Sequence, residues 1–204
     1  ILKVGKVRID EGSALLYGQS AGGTDVFVYI KQGDVLQGMY FLEHEFDIDT
    51  IRKNFDFYEP FTVHESSLSP CIHSVLAAKI GNEEKAYEYY LRTARLDLDD
   101  YNNDTKDGCH ITSMAGSWVA VVQGFAGMRI EDGSVKFNPF IPSQWNSYTF
   151  RITFRGALLS IKVTKDNVEI SNLSGVDCPL GVYGNKQTLA GNEVFTTKIQ
   201  HAVG

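Results

Sequence analysis

Two stretches of the 204-residue chain concentrate groups that could do chemistry. One is His64-Glu65-Ser66-Ser67-Leu68-Ser69-Pro70, and the other is Asp107-Gly108-Cys109-His110-Ile111-Thr112-Ser113. Each leads into an apolar pattern of helical period. Unsatisfied backbone N–H groups and the positive end of the helix dipole therefore meet hydroxyls and an imidazole, a combination suited to an anion. A start rich in Ser and Asp is also the ordinary composition of a helix cap, so neither stretch identifies a site alone. His64 beside Glu65 admits an acid–base pair, although adjacent residues of a helix or strand rarely face one point. His64, His73 and His110 admit a zinc site, but no short two-ligand signature supports it and no metal is expected. His44 stands among charged residues and reads as solvated. Tyr87, Tyr89 and Tyr90 admit a sugar-stacking platform, while helix packing accounts equally for Tyr87 and Tyr90. Gly18-Gln19-Ser20-Ala21-Gly22 matches the nucleophile-elbow pattern, yet Gly22, Gly23 and Thr24 stand where its helix should begin.

The elements that would position these groups change period near residue 129. Before it, Val35, Leu36, Met39, Tyr40 and Leu42 predict a buried helix within residues 31–43. Asp47 or Asp49 caps a second helix over 50–58, which stops near Pro60. Ser69-Pro70 reads as N-cap followed by proline at the first helical position, with Gly81 as the stop. Asn82-Glu83-Glu84 opens a fourth helix with Tyr87, Tyr90, Leu91 and Ala94 as its apolar stripe, and a fifth is expected over 113–125. After residue 129 the period is two. Tyr148, Phe150, Ile152 and Phe154 alternate with Thr149, Arg151, Thr153 and Arg155, and Leu159, Ile161 and Val163 repeat the pattern. Asp132-Gly133 and Asp166-Asn167 read as hairpin turns. The expected fold class is mainly α plus β, with helices followed by a small antiparallel β-sandwich. Residues 1–28 show no clear period.

Composition excludes several functions. A net charge of −6, with Lys and Arg dispersed, argues against a polyanion partner such as nucleic acid. No apolar run reaches the roughly 18 residues that span a bilayer. Cys71, Cys109 and Cys178 are odd in number and lack metal spacing, so a reducing, cytoplasmic setting is expected.

Longer motifs carry more. The segment Asn54 to Ser74, which reads Asn-Phe-Asp-Phe-Tyr-Glu-Pro-Phe-Thr-Val-His-Glu-Ser-Ser-Leu-Ser-Pro-Cys-Ile-His-Ser, resembles glycoside hydrolase family 65 and its phosphorylases. So does Asp100 to Trp118, Asp-Tyr-Asn-Asn-Asp-Thr-Lys-Asp-Gly-Cys-His-Ile-Thr-Ser-Met-Ala-Gly-Ser-Trp, continuing to Met128. The resemblance covers about residues 30 to 200. It implies the C-terminal helices of an (α/α)6 barrel over 30–128 and a C-terminal β-sandwich over 129–204, with 1–29 unmatched. It also implies phosphorolysis of an α-linked glucose disaccharide such as maltose, with inversion, to β-glucose 1-phosphate. Trehalose and kojibiose remain alternatives, as do hydrolysis and a noncatalytic sugar-binding role.

By the same resemblance, Ser66, Ser67, His110, Thr112 and Ser113 bind phosphate. Lys31 and Gln32 hold the donor glucose, with Gly33 where the family has Ala, and His64 and Glu65 shape the substrate pocket. The general acid, a Glu, is expected upstream of this chain, so no catalytic residue is assigned within it and the chain alone is expected to be inactive. Inverting hydrolysis requires a second carboxylate to activate water, whereas phosphate can itself be the nucleophile. Inorganic phosphate is then a co-substrate and no cofactor is expected. The complete enzyme is expected to be a homodimer.

Overall fold

The computed structural model describes residues 4–10, 13–20, 23–30, 33–64, 67–101, 103 and 105–200, the three stretches before residue 31 by their backbone. Those three are strands β1 (Val4–Asp10), β2 (Ser13–Ser20) and β3 (Gly23–Ile30), paired antiparallel in chain order. Ser20 ends β2 and pairs with Gly23 at the start of β3. The chain therefore passes from strand to strand at this point, and a nucleophile elbow, which needs strand, turn and helix, is not built here.

A helical layer follows. It comprises α1 (Asp34–Phe41), α2 (Ile48–Tyr58), α3 (Ser69–Lys79), α4 (Glu83–Ala94), the short α5 (Leu96–Asp99) and α6 (Ile111–Val119). Local chemistry sets several ends. The Asp47 carboxylate accepts from the Thr50 amide at 2.7 Å, and the Asn82 side chain accepts from the Lys85 amide at 3.1 Å. Each satisfies an amide that the first helical turn leaves open. Gly81, at φ 81°, takes the left-handed conformation that ends α3. The fifth expected helix begins at Ile111 rather than Ser113, and from Ala120 to Phe125 it widens into a π-helical turn.

Helix α3 is the centre of the layer, with every residue from Ser69 to Ala77 buried. A Cβ on Gly116 would lie 2.9 Å from Cys71 Cβ, and one on Gly124 would lie 3.6 Å from Val75 Cα. Both helices advance together along this contact, so α3 and α6 run parallel with their N-termini at one end. Glycine at position 116 permits the close approach; at Gly124 a Cβ would make ordinary contact. Helix α4 runs the other way: Ser74 Oγ donates to the Ala86 carbonyl, while Ser113 Oγ donates to that of Thr93. The C-terminal end of α4 therefore sits beside the starts of α3 and α6.

The sequence-based stripe on α4 was displaced. The residues buried against the other helices are Ala86, Tyr89 and Thr93. Tyr87 and Tyr90 turn instead toward Trp145, with ring centroids 6.2 and 5.2 Å away. Phe125 joins them at 5.3 Å from the same indole. Helix α4 thus buries two sides, one among helices and one against the strands, which removes Tyr87 and Tyr90 from any sugar platform.

The strand half consists of β4 (Arg129–Glu131), β5 (Ser134–Phe137), β6 (Ser147–Phe154), β7 (Ala157–Thr164), β8 (Asn167–Asn172), β9 (Cys178–Val182), β10 (Asn185–Leu189) and β11 (Val194–Lys198). Two four-stranded sheets form, ordered β10-β9-β5-β4 and β11-β8-β7-β6. The second is antiparallel throughout. The first contains a parallel pair, β5 with β9, so the half is not wholly antiparallel. Alternation places Leu159, Ile161 and Val163 in the core between them. Asp132 and Gly133, at φ 50° and 72°, make the tight turn between β4 and β5.

Arg129 joins the halves. Its guanidinium pairs with both carboxylate oxygens of Glu43 and donates to the carbonyls of Gln123 and Met128. Lys79 adds a second cation to Glu43 at 3.5 Å. Among the described residues no helix is long and apolar enough to cross a membrane.

Candidate functional site

The end of the helical layer where α3 and α6 begin and α4 finishes gathers both chemistry-bearing stretches. Two helix N-termini point their positive dipole ends to this rim, while at the start of α6 the His110, Ile111 and Ser113 amides are already bonded within the chain. Residues on α4 and α5 hold both stretches from behind. Arg92 donates to the carbonyls of Val63 and His64 at 3.4 and 3.3 Å. Asp97 accepts from the His110 backbone amide at 2.9 Å and lies 2.6 Å from His110 Nδ1. The hydrogen bonds from His110 hold the Asp97 carboxyl below the ordinary aspartate range. They also fix one imidazole nitrogen, so the ring has a set orientation at the start of α6.

Of the residues expected to bind phosphate, Ser67 is half-buried in the turn before α3, and Thr112 is exposed on the first turn of α6. His110, with 23% of its side chain exposed, stands immediately before Ile111. Ser113 is turned the other way: it is 2% exposed and its hydroxyl is used to pack α6 on α4. Lys31, Gln32, Glu65 and Ser66 lie outside the described residues.

His64 departs from its expected place in the substrate pocket. It is 5% exposed, with backbone φ 55°, a conformation sparsely populated by residues with a side chain. Its ring turns inward, Nδ1 2.9 Å from Ser69 Oγ and Nε2 3.2 Å from the Tyr89 hydroxyl. Burial pushes its pKa down to about 3, and nearby cations add to that shift. The ring is therefore neutral, and both of its nitrogens are engaged within the protein.

The same cluster continues in both directions. Tyr89 donates to Glu59 at 2.6 Å, and Lys85 pairs with Glu59 at 3.0 Å. Burial opposes ionisation of Glu59, but the bonds from Tyr89 and Lys85 outweigh it and hold the carboxyl below its ordinary range. Ser69 Oγ accepts from the Gly33 amide at 3.2 Å. His73, fully buried, has Nδ1 3.0 Å from the Ser69 carbonyl, and burial pushes its pKa down to about 4. A methyl group on Gly33 would overlap His73 Cε1. Glycine at position 33 is thus matched to the ring behind it.

The zinc reading finds no support in this arrangement. The His64 and His73 rings pack edge to face, 4.4 Å between centroids, with three of their nitrogens bonded to Ser69 or Tyr89, and His110 is tied to Asp97 on the other stretch. No group of three potential metal ligands occurs among the described residues. Sequence reasoning missed Glu59, Arg92 and Asp97, and named Tyr89 only as part of a sugar-stacking platform. Glu59 lies inside the long motif Asn54–Ser74 and could have been singled out there. Tyr89, Arg92 and Asp97 carry no local signal, because each acts on a residue 13 or more positions away.

Comparison with known proteins decides the family. Residues 8–119 match the pattern described as the glycosyl hydrolase family 65 central catalytic domain, and residues 128–189 match the family 65 C-terminal domain. The chain belongs to glycosyl hydrolase family 65. The first match begins at residue 8, ahead of the start near 30 at which the resemblance was read. Maltose phosphorylase of Bacillus subtilis (strain 168) is 50% identical over 80% of this chain and 22% of its own length. Alpha,alpha-trehalose phosphorylase of Thermoanaerobacter brockii is 45% identical over 80% of this chain and 21% of its own. A solved structure, a putative kojibiose phosphorylase from human microbiome, superposes with a TM-score of 0.78 at 44% identity. That match covers 83% of this chain and 25% of the other. The chain thus spans about a fifth of the length of the curated relatives it matches.

Proposed function

We propose that this chain forms the phosphate and donor-glucose side of an inverting α-glucosyl disaccharide phosphorylase acting on maltose. The observation that carries the reading is the convergence of two parallel helix N-termini on one rim, α3 preceded by the Ser67 hydroxyl and α6 led by the His110 imidazole and the Thr112 hydroxyl. Oriented amides and hydroxyls of this kind suit a phosphate dianion, which accepts several hydrogen bonds at once. Ser67, His110 and Thr112 are its donors, joined by Ser66. Lys31 and Gln32 hold the glucose, and Glu65 contributes to the substrate pocket. Ser113 and His64 hold the helices and the first loop rather than the ligand.

In the reaction a phosphate oxygen forms a bond to the anomeric carbon as the bond to the leaving sugar oxygen breaks. A general acid protonates that oxygen, and attack from the opposite face gives β-glucose 1-phosphate. The acid belongs to the part of the relatives that this chain does not span, so the chain alone is expected to be inactive. Phosphate is the co-substrate and no cofactor takes part. The complete enzyme is read as a cytoplasmic homodimer.

A hybrid tests this. Residues 33–200 replace the corresponding part of the Bacillus subtilis maltose phosphorylase, and glucose 1-phosphate is followed with maltose, trehalose and kojibiose. Phosphate-dependent release from maltose is expected. Glucose release independent of phosphate would make the site hydrolytic. A folded hybrid that turns over trehalose or kojibiose instead would overturn the choice of maltose.

A further inference from the structure

The buried cluster behind the first loop has only one consistent order of protons. Glu59 is an ionised acceptor, so the Tyr89 hydroxyl gives its proton to it. The Tyr89 oxygen must then accept from His64, which places the His64 proton on Nε2. A neutral imidazole with its proton on Nε2 has a lone pair on Nδ1, and Ser69 donates to it. The Ser69 oxygen is left to accept, and it does so from the Gly33 amide. His73 has the opposite tautomer, because its Nδ1 faces the Ser69 carbonyl, which can only accept. Reversing any link would set two donors or two acceptors against each other among the buried His64, Tyr89 and Ser69, where an unmatched polar group is costly; His73 Nε2 is the one buried side-chain nitrogen or oxygen among the described residues that stands without a partner.

We propose that Glu59, Tyr89, His64 and Ser69 are positioning residues that act as one ordered chain to fix the Gly33 amide, at the entry to α1. The two ends of this chain are 26 residues apart in sequence, at Gly33 and Glu59, so no single turn or cap could set the geometry. The left-handed backbone of His64 fits this role, since it swings the ring away from the rim and into the cluster. Lys31 and Gln32 immediately precede Gly33 in sequence. A consequence for binding of the donor sugar rests on the function proposed above; the proton order and the hold on Gly33 do not.

Two measurements on the 204-residue chain test the proposal. Imidazole nitrogen–proton correlation spectra are expected to show His64 neutral with its proton on Nε2, and His73 neutral with its proton on Nδ1. Finding the His64 proton on Nδ1 would overturn the order. In Tyr89→Phe, which keeps the ring and removes the hydroxyl, exchange of the Gly33 amide is expected to accelerate about tenfold. His64→Gln can present an acceptor to Ser69 and a donor to Tyr89, and is expected to restore most of the protection that His64→Leu loses. If Tyr89→Phe and His64→Leu retain native spectra elsewhere and Gly33 exchange is unchanged, the chain does not fix that amide. In the active hybrid, Tyr89→Phe is expected to raise KM for maltose several-fold with little change in kcat. An inactive hybrid with the expected spectra would count against the enzymatic reading alone.

Discussion

The stretch before α3 and the stretch before α6 meet at the same rim, yet they are held by different physics. The first is anchored from inside, through a neutral imidazole, two hydroxyls and a carboxylate, with Arg92 gripping two of its carbonyls. The second is anchored by the Asp97 carboxylate, which takes both the amide and the ring of His110 close to solvent. A buried ordered network specifies one geometry and fails as a unit. A partly exposed pair is weaker, more screened by salt and better able to adjust. One side of the rim is thus a fixed reference and the other can adapt.

Acid should separate the two most strongly. Burial keeps His64 and His73 neutral in the folded chain, with pKa values of about 3 and 4, whereas the unfolded rings protonate near 6.5. The unfolded state binds more protons below that point. Their contribution is complete above pH 6.5 and is lost as pH falls toward 4, at up to about 2.7 kcal/mol per pH unit. The Asp97 pair contributes at pH values above the unfolded aspartate range and is lost only as pH falls through its lowered value. Urea unfolding between pH 7 and 4 should therefore show a steep loss, while protection of the His110 amide, taken relative to its intrinsic exchange rate at each pH, stays at pH 5 close to its value at pH 7. A flat stability profile would break the contrast.

Gly33→Ala ranks next. Gly33 has φ −78°, outside the left-handed region that favours glycine, so the main cost is overlap with the His73 ring. A loss of about 1–3 kcal/mol in urea unfolding is expected, as for overpacking elsewhere. Asp97→Asn should cost less than about 1 kcal/mol of stability. It should nevertheless speed His110 amide exchange and weaken phosphate use in the hybrid, more at low salt than at high. Thr112→Ala is the smallest perturbation: stability within about 0.5 kcal/mol of the parent, with a raised KM for phosphate. If Thr112→Ala left phosphate kinetics untouched, the adaptable side would lose one of its proposed ligands.

These contrasts mark what was legible in the residues. Asp47, Gly81 and Asn82 act on neighbours one to three positions away, and their roles as cap or stop were readable from local pattern. The alternation of Tyr148 to Phe154 was likewise readable, because period two needs no knowledge of partners. The α4 stripe was not. Its residues divide between two partners, helices on one side and Trp145 on the other, and a single-face pattern cannot describe both. The resemblance puts His64 in the wall of the substrate pocket. Its burial depends on Tyr89, 25 positions away, and on a left-handed backbone that nothing adjacent announces. Ser69 was read as a cap, but Leu68 takes that position and the Ser69 hydroxyl serves His64 and Gly33 instead.

The joint made by Arg129 bears on how relatives could recombine. A crossover at the seam between helices and strands, just before Arg129, would bring in a guanidinium from one parent and Glu43, Lys79 and the Tyr87–Tyr90 face from the other. Trp145 would arrive separately from the rings that enclose it. Viable hybrids among these phosphorylases should therefore exchange residues 43–145 as one block. Breakpoints within that block should be depleted among folded members of a random crossover library.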